Sequence, residues 1–351
     1  MTRHDCQVRR LPLALVLGTI GLAACGESSV PMQHETPGEP GPATLALGAG
    51  AGTWVPKAAT GYGEEFYGYS LGMAPNSAGQ SIVYALGGSY PERGGAGSAV
   101  RAYNVATNTW TGGRLSRVGV FYSNGVGKIG SKLYYSGGYN EPGTLPTFVN
   151  TLWAYDYARD RLIRKTDMPI YGAEGVSGVI NGKLYVLPGA CSGDRYPEAG
   201  YCAVEETRRL YRYDPATNSW ATLREAPHYH RRGAATVING KFYVAGGLGV
   251  GKADLRDLDV YDPATNAWRT LAPLPTGGVA TGSALQGQFY AVVQRFNGTS
   301  LETRAFTYNR NTNKWRAGAA PDFLGSMTRV DLNGSSTLFT ASGSKSLLYM
   351  P

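Results

Sequence analysis

The sequence predicts an all-β fold built from repeated four-stranded antiparallel units, on three grounds. An eight-residue stretch, Tyr213-Asp-Pro-Ala-Thr-Asn-Ser-Trp220, returns as Tyr261-Asp-Pro-Ala-Thr-Asn-Ala-Trp268, with looser copies at Tyr103-Asn-Val-Ala-Thr-Asn-Thr-Trp110 and Tyr308-Asn-Arg-Asn-Thr-Asn-Lys-Trp315. Recurrence at a period of tens of residues marks a repeat architecture. Ahead of these copies stand alternating apolar runs that close on paired glycines, as in Ile82-Val-Tyr-Ala-Leu-Gly-Gly88, Lys132-Leu-Tyr-Tyr-Ser-Gly-Gly138 and Lys241-Phe-Tyr-Val-Ala-Gly-Gly247. The 351 residues include 49 Gly and 24 Tyr, a mixture that favours turns and strands.

Each unit follows from its local chemistry. Asn-Gly between two alternating runs, as at Asn181-Gly182 and Asn239-Gly240, is a strong hairpin signal and joins strands one and two. Strand two ends at the glycine pair, where the missing Cβ atoms allow close approach. Strand three carries the Tyr, the Asp-Pro-Ala-Thr-Asn segment turns the chain, and strand four starts at the Trp. The Trp frame runs 54, 110, 220, 268, 315, and Tyr155-Asp-Tyr-Ala-Arg-Asp-Arg-Leu162 fills the gap with Leu in place of Trp. Six anchors give six units. The last has only three strands of its own, in Ser326–Leu332, 336–343 and 345–349, and Thr53-Trp-Val-Pro-Lys57 is a lone fourth strand at the front. Joining them completes the sixth unit and closes a ring, which removes exposed sheet edges.

These two markers resemble the kelch pattern. The resemblance covers Trp54 to Pro351 and implies a six-bladed kelch-type β-propeller with four-stranded antiparallel blades. Two repeats depart from it: Pro188-Gly189 and Val292-Val293 stand where the third and fifth glycine pairs are expected. The galactose-oxidase superfamily, which shares this architecture, includes copper-radical oxidases that use two Tyr, two His and a Cys cross-linked to Tyr. The chain's His228 and His230 are two residues apart and its two late cysteines suit each other, so that chemistry is not expected. The chain is also similar to bacterial exported sialic-acid mutarotases, six-bladed kelch proteins whose site pairs a Glu with an Arg six residues later. The nearest frame is Val250 to Arg256, where the Arg is present and the Glu is not.

Residues 1–24 read as a signal peptide. Arg3, Arg9 and Arg10 precede a 14-residue apolar stretch, Leu11 to Ala24, too short to span a bilayer. The ending Leu22-Ala23-Ala24-Cys25 resembles a bacterial lipobox, which makes Cys25 the expected lipidation site and implies export and anchoring to a bacterial membrane, in the outer membrane or periplasm. Residues 25–52 then form a flexible linker containing Pro31, Pro37, Pro40 and Pro42, and the propeller occupies 53–351. Cys191 and Cys202 are the expected disulfide. The full chain has 33 Lys+Arg and 25 Asp+Glu. This mild excess, with no basic run, does not point to nucleic acid. The expected attachments are therefore a membrane through the N-terminal lipid only and a glycan or protein ligand, with the propeller acting as a monomer.

Strand parity locates the binding face. In a four-stranded meander the two-to-three connections and the links between blades share one face. The two-to-three connections are the long ones, 89–98, 139–150, 190–207 and 248–256. Long irregular loops on a rigid scaffold are where binding usually resides. The first strands begin on that face, so their entry residues ring a central mouth. The candidate ligand-binding residues are Glu64, Glu65, Arg117, Tyr122, Tyr171, Glu174, the run His228-Tyr229-His230-Arg231-Arg232, Arg256 and Asp322. Carboxylates, Arg and Tyr together suit a sugar or a peptide, although such residues also occur on any solvated rim. His228 and His230 have ligand spacing on a strand, but no third ligand accompanies them, so neither a metal nor another cofactor is expected. No Gly-x-Ser-x-Gly, phosphate loop or His-Glu-x-x-His occurs, and no catalytic residue is assigned. The expected role is a lipid-anchored binding module. A carbohydrate-active enzyme of the mutarotase or epimerase type is the alternative.

Overall fold

The computed structural model describes residues 52–61, 68–88, 98–112, 115–116, 120–140, 147–191, 207–332 and 334–351. They lie in one compact unit, Leu47–Pro351, and form six four-stranded antiparallel sheets arranged as the blades of a propeller. Blade 1 comprises Ser70–Pro75, Ser81–Leu86, Arg101–Asn104 and Thr109–Thr111. Blades 2 to 5 repeat that order from Val126, Val176, Ala234 and Val279. Blade 6 takes Ser326–Leu332, Ser335–Ser342 and Lys345–Met350 from the end of the chain and Thr53–Pro56 from its front. Thr53 pairs with Met350 and Pro56 with Leu347, so the ring closes as the sequence predicts.

The repeated Tyr-to-Trp motif turns out to be a clamp between neighbouring blades. In blade 3 the Tyr213 hydroxyl donates to Asn218 Oδ1 at 2.6 Å, and the same oxygen accepts from the Thr166 amide of blade 2 at 3.2 Å. The Trp220 indole then donates to the Thr166 carbonyl at 2.8 Å. Blades 1, 4 and 5 repeat the arrangement through Asn108 and Trp110 on Ala58, Asn266 and Trp268 on Arg224, and Asn313 and Trp315 on Ala272. The four Asn sit in the left-handed region at φ 50–55°, which Asn tolerates better than most residues. Blade 2, with Leu162 in the Trp position, keeps the internal bond from the Tyr155 hydroxyl to Asp160 Oδ1 at 2.9 Å.

The core follows the same logic. Six apolar clusters each straddle two adjacent blades. One joins blades 6 and 1 through Phe339 and Tyr103, whose rings stack at 4.7 Å. Another joins blades 5 and 6 through Tyr290, Tyr349 and Trp54. Every blade thus buries both of its faces against neighbours, and no blade has a core of its own.

The glycine pairs mark where strand two leaves the sheet and meets the next blade. Gly138 donates to the Gly172 carbonyl at 2.8 Å, and a Cβ on Gly137 would stand 2.1 Å from that oxygen. In blade 3, Pro188 takes the place of Gly137, and Gly189 keeps the second position, where a Cβ would stand 2.0 Å from the Glu174 carbonyl of its own blade's entry. Pairing register corrects the expectation for blade 5. Phe289 opposite Tyr308 matches Phe242 opposite Tyr261, so Val293-Gln294, one residue later than expected, take the place of the pair. Strand two runs straight on to Phe296 and returns from Leu301.

Candidate functional site

The first strand of each blade faces the central channel, and its entry residues surround a cavity of about 220 Å³ on the loop face. Tyr69, Tyr122, Glu174 and Arg232 give this mouth its larger polar side chains. A second cavity of about 300 Å³ continues down the channel and shares Ser70, Ser123, Gly175, Gly233, Thr281 and Ser326 with the first. The shared ring of small residues keeps the channel open and lines it with hydroxyls.

A chain of backbone hydrogen bonds fixes the mouth. The Tyr122 amide donates to the Gly68 carbonyl at 2.6 Å, Glu174 to Tyr122 at 2.8 Å, Arg232 to Glu174 at 2.7 Å, and Ala280 to Arg232 at 2.8 Å. Each step passes from one blade to the next. Tyr122, Glu174 and Arg232 adopt φ of 50°, 57° and 54°. Among the described residues they are the non-glycine positions in this region that lie outside hairpin turns. Such backbone costs roughly 1 kcal/mol or more per residue and clusters at functional sites. Here the strain is held by the ring of bonds, and it sets where three consecutive polar side chains leave the backbone.

Among the described residues that line the mouth, the charges are those of Glu174 and Arg232. Arg231 Nε donates to Glu174 at 2.5 Å in a pair whose side chains are 16% and 8% exposed. The Arg232 guanidinium lies 5.6 Å from the Tyr122 ring centroid, a cation–π distance, and among the described residues its side chain has no hydrogen bond or ion pair. Burial pushes the Tyr69 hydroxyl well above the usual tyrosine range, so it meets a ligand neutral. The mouth therefore offers a guanidinium fork, an aromatic face and a hydroxyl-lined recess to a polar guest.

The remaining predicted residues lie elsewhere. His228 and His230 do face the same side, but they turn into the blade and share Asp259: His228 Nδ1 is 3.0 Å and His230 Nε2 is 3.2 Å from Oδ2. Asp259 also accepts from the Thr270 hydroxyl at 2.7 Å. Tyr229 lies under the Arg208 guanidinium at 5.3 Å. Arg256 donates to the Leu274 carbonyl at 2.7 Å and pins a link between blades. Tyr171 is an exposed rim residue, and Asp322 is exposed with Lys345 Nζ 3.7 Å away. None of these lines the mouth cavity. Among the described residues no group of three or more His, Cys, Asp or Glu is placed to hold a metal. Cys191 is fully buried. Glu64, Glu65, Arg117, Cys25 and Cys202 lie outside the described residues.

Sequence reasoning passed over Tyr69 and the ring of small residues, and did not separate Arg232 from the basic run around it. A small residue one place after each mouth residue, as in Tyr122-Ser123, Glu174-Gly175 and Arg232-Gly233, is the signal that marks them.

Comparison with known proteins agrees with this architecture. The family model described as Kelch motif matches residues 230–275, which span blade 4. The human Kelch-like protein 23 is 26% identical over 229 residues, covering 54% of this chain and 38% of that protein. The human Kelch repeat and BTB domain-containing protein 12 is 27% identical over 124 residues, covering 35% of this chain and 20% of that protein. The chain thus spans less than two fifths of the length of either. Among solved structures, the one titled Structure of YjhT superposes with a TM-score of 0.63 at 18% identity, covering 81% of this chain and 93% of that one; it bears on the fold alone. Motif, blade count and ring closure together make the chain a six-bladed kelch-repeat β-propeller.

Proposed function

We propose that the chain is an exported, lipid-anchored binding module that takes the end of a glycan into its mouth. Kelch propellers typically serve as interaction modules, so a binding role is the coarse reading and the ligand is the finer one. The observation that carries it is the rigidly held Tyr122, Glu174 and Arg232 set around a cavity of about 220 Å³, with the Arg232 guanidinium free of hydrogen bonds among the described residues. A concave polar recess of this size suits one or two sugar rings better than a protein surface, which needs a broad flat area. The Arg232 guanidinium favours an acidic sugar over a neutral one.

The test is calorimetry of the full chain against a panel of neutral and acidic mono- and oligosaccharides. Arg232→Ala is expected to weaken binding at least tenfold, whereas Arg256→Ala, on the link between blades, leaves it unchanged. Absence of sugar binding, or equal binding by Arg232→Ala, rejects the glycan reading and returns the mouth to an envelope protein partner.

One observation favours the enzymatic alternative. Glu174 lines the mouth and carries Arg231 on its carboxylate, and a carboxylate held in a polar recess is a suitable general base for the anomeric hydroxyl of a sugar. Faster exchange between anomers of a bound sugar, abolished by Glu174→Gln, would establish it.

Export and anchoring belong to the same proposal, with residues 1–24 as the signal, a lipid on Cys25, a linker to residue 52 and a Cys191–Cys202 disulfide. Metabolic labelling with a fatty-acid analogue is expected to mark the wild-type chain and not Cys25→Ser. Equal labelling of both would remove the anchor from the proposal.

A further inference from the structure

The two faces of the propeller carry different chemistry. Opposite the mouth, the short turns between strands three and four surround a groove between blades 4 and 5, with a cavity of about 400 Å³. Lys241, Asp262 and Arg269 line it from blade 4, and Arg310 and Asn311 from the turn of blade 5. Lys241 and Asp262 form an ion pair. That leaves the two arginines. The Arg310 guanidinium lies across the blades against the Asn239 side-chain amide, whose oxygen accepts from it once the amide is turned to face it, a neutral partner that leaves the charge unbalanced. Among the described residues no hydrogen bond or ion pair engages the exposed Arg269 side chain.

The internal repeats provide a control. The residue after the Trp-position anchor is Thr111, Ile163 and Ala221 in blades 1 to 3, Arg269 in blade 4 and Arg316 in blade 5. Two places after the motif Tyr stand Val105, Tyr157, Pro215 and Pro263 in blades 1 to 4, and Arg310 in blade 5. The same turn of blade 5 has Asn309, as blade 1 has Asn104, where blades 2 to 4 have Asp156, Asp214 and Asp262. The scaffold needs neither arginine, since other blades fold with small, apolar or ring residues there. At this groove the guanidiniums of Arg269 and Arg310 come together, and its carboxylate, Asp262, is paired with Lys241.

We propose that the groove between blades 4 and 5 is a second binding site, for a phosphate- or sulfate-type oxyanion group. Two guanidiniums with unbalanced charge offer bidentate donors to a tetrahedral oxyanion, and the Lys241 ammonium lies on the same wall. The group can arrive on a soluble phosphorylated ligand or on a lipid headgroup, and one experiment separates the two.

Inorganic phosphate and sulfate are titrated into the full chain by calorimetry. In parallel, vesicles of phosphatidylcholine with and without phosphatidylglycerol are sedimented with it. The variants are Arg269→Gln/Arg310→Gln and, as a control for diffuse charge, Arg316→Gln on the outer strand of blade 5. Both are surface changes, and matching melting curves verify their fold. The proposal expects the double variant to bind the oxyanion at least tenfold more weakly and the control to bind as wild type. If the excess binding to anionic vesicles is lost in the double variant as well, the source is a headgroup. If oxyanion binding is lost without any vesicle effect, the source is soluble. The proposal is overturned if the wild type binds neither probe, if the double variant binds as wild type, or if Arg316→Gln loses as much as the double variant.

Discussion

Asp259 is wholly buried at the root of the link into blade 4, and donors surround its carboxylate: the rings of His228 and His230, the Thr270 hydroxyl and the His228 amide. Burial, the largest single influence, opposes ionisation. The hydrogen bonds from His230, Thr270 and His228 and the charge interaction with His230 together outweigh it and hold the carboxyl below its ordinary range. A carboxyl depressed on folding contributes stability that is present above its unfolded value, about 3.9, and is lost as pH falls through the lower folded value. Asp259→Asn is therefore expected to lower the melting temperature at neutral pH and to flatten its fall between about pH 5 and pH 3. A variant whose melting temperature follows pH in parallel with the wild type would show that Asp259 contributes no such linkage. This role also explains why a basic and aromatic run that reads as one cluster in sequence does not act as one. Alternation turns His228 and His230 to Asp259, Arg231 pairs with Glu174, and Arg232 alone reaches the mouth with Tyr122.

At the scale of elements, what could be read from sequence was what geometry forces into residue type. An Asn before a Trp, five residues after a Tyr, is legible because the Asn must take a left-handed turn while its oxygen serves a hydroxyl and a neighbouring amide at once. Glycine pairs are legible because a Cβ at Gly87 or Gly137 would lie within 2.2 Å of a carbonyl oxygen of the next blade's entry segment. The mouth is less legible. Tyr122, Glu174 and Arg232 share a backbone conformation that no residue type among them announces, and the bonds that impose it come from adjacent blades. Their frame is also blurred. The first hairpin has a five-residue loop at 76–80 in blade 1 and a two-residue loop at 181–182 in blade 3. Counting back from strand two therefore misaligns the entry residues. In blade 5 the long hairpin hid the register itself, because Val293-Gln294 sit in a continuous strand where other blades break. The place of Arg256 is not legible for a related reason. Its spacing suggested a site, but its Nε is spent on the Leu274 carbonyl.

For the whole molecule, stability rests on closure. Because each apolar cluster spans two blades, a missing blade costs two clusters, and a missing closing strand opens the ring. Lys345–Met350 is the strand that matters most for this. It pairs with Ser335–Ser342 on one side and with Thr53–Pro56 on the other. Tyr349 packs against Trp54 at 5.2 Å and against Tyr290 of blade 5 at 5.3 Å, while the Thr337 hydroxyl donates to its carbonyl. A chain ending at Ser344 would strand Thr53–Pro56 without a partner, expose the edge of Ser335–Ser342 and uncover the cluster between blades 5 and 6. It is expected to be insoluble, or to unfold without a cooperative transition in urea. A circular permutant discriminates the missing strand from the mere position of a chain end. Linking residues 351 and 53 directly and opening the chain in the exposed turn at Ala216 retains all twenty-four blade strands but moves the break to blade 3. The permutant is expected to fold cooperatively with reduced stability, since exposed turns tolerate new termini. A soluble, cooperative truncation would show that five blades and a half suffice, and that the front strand is an ornament on a ring already stable without it.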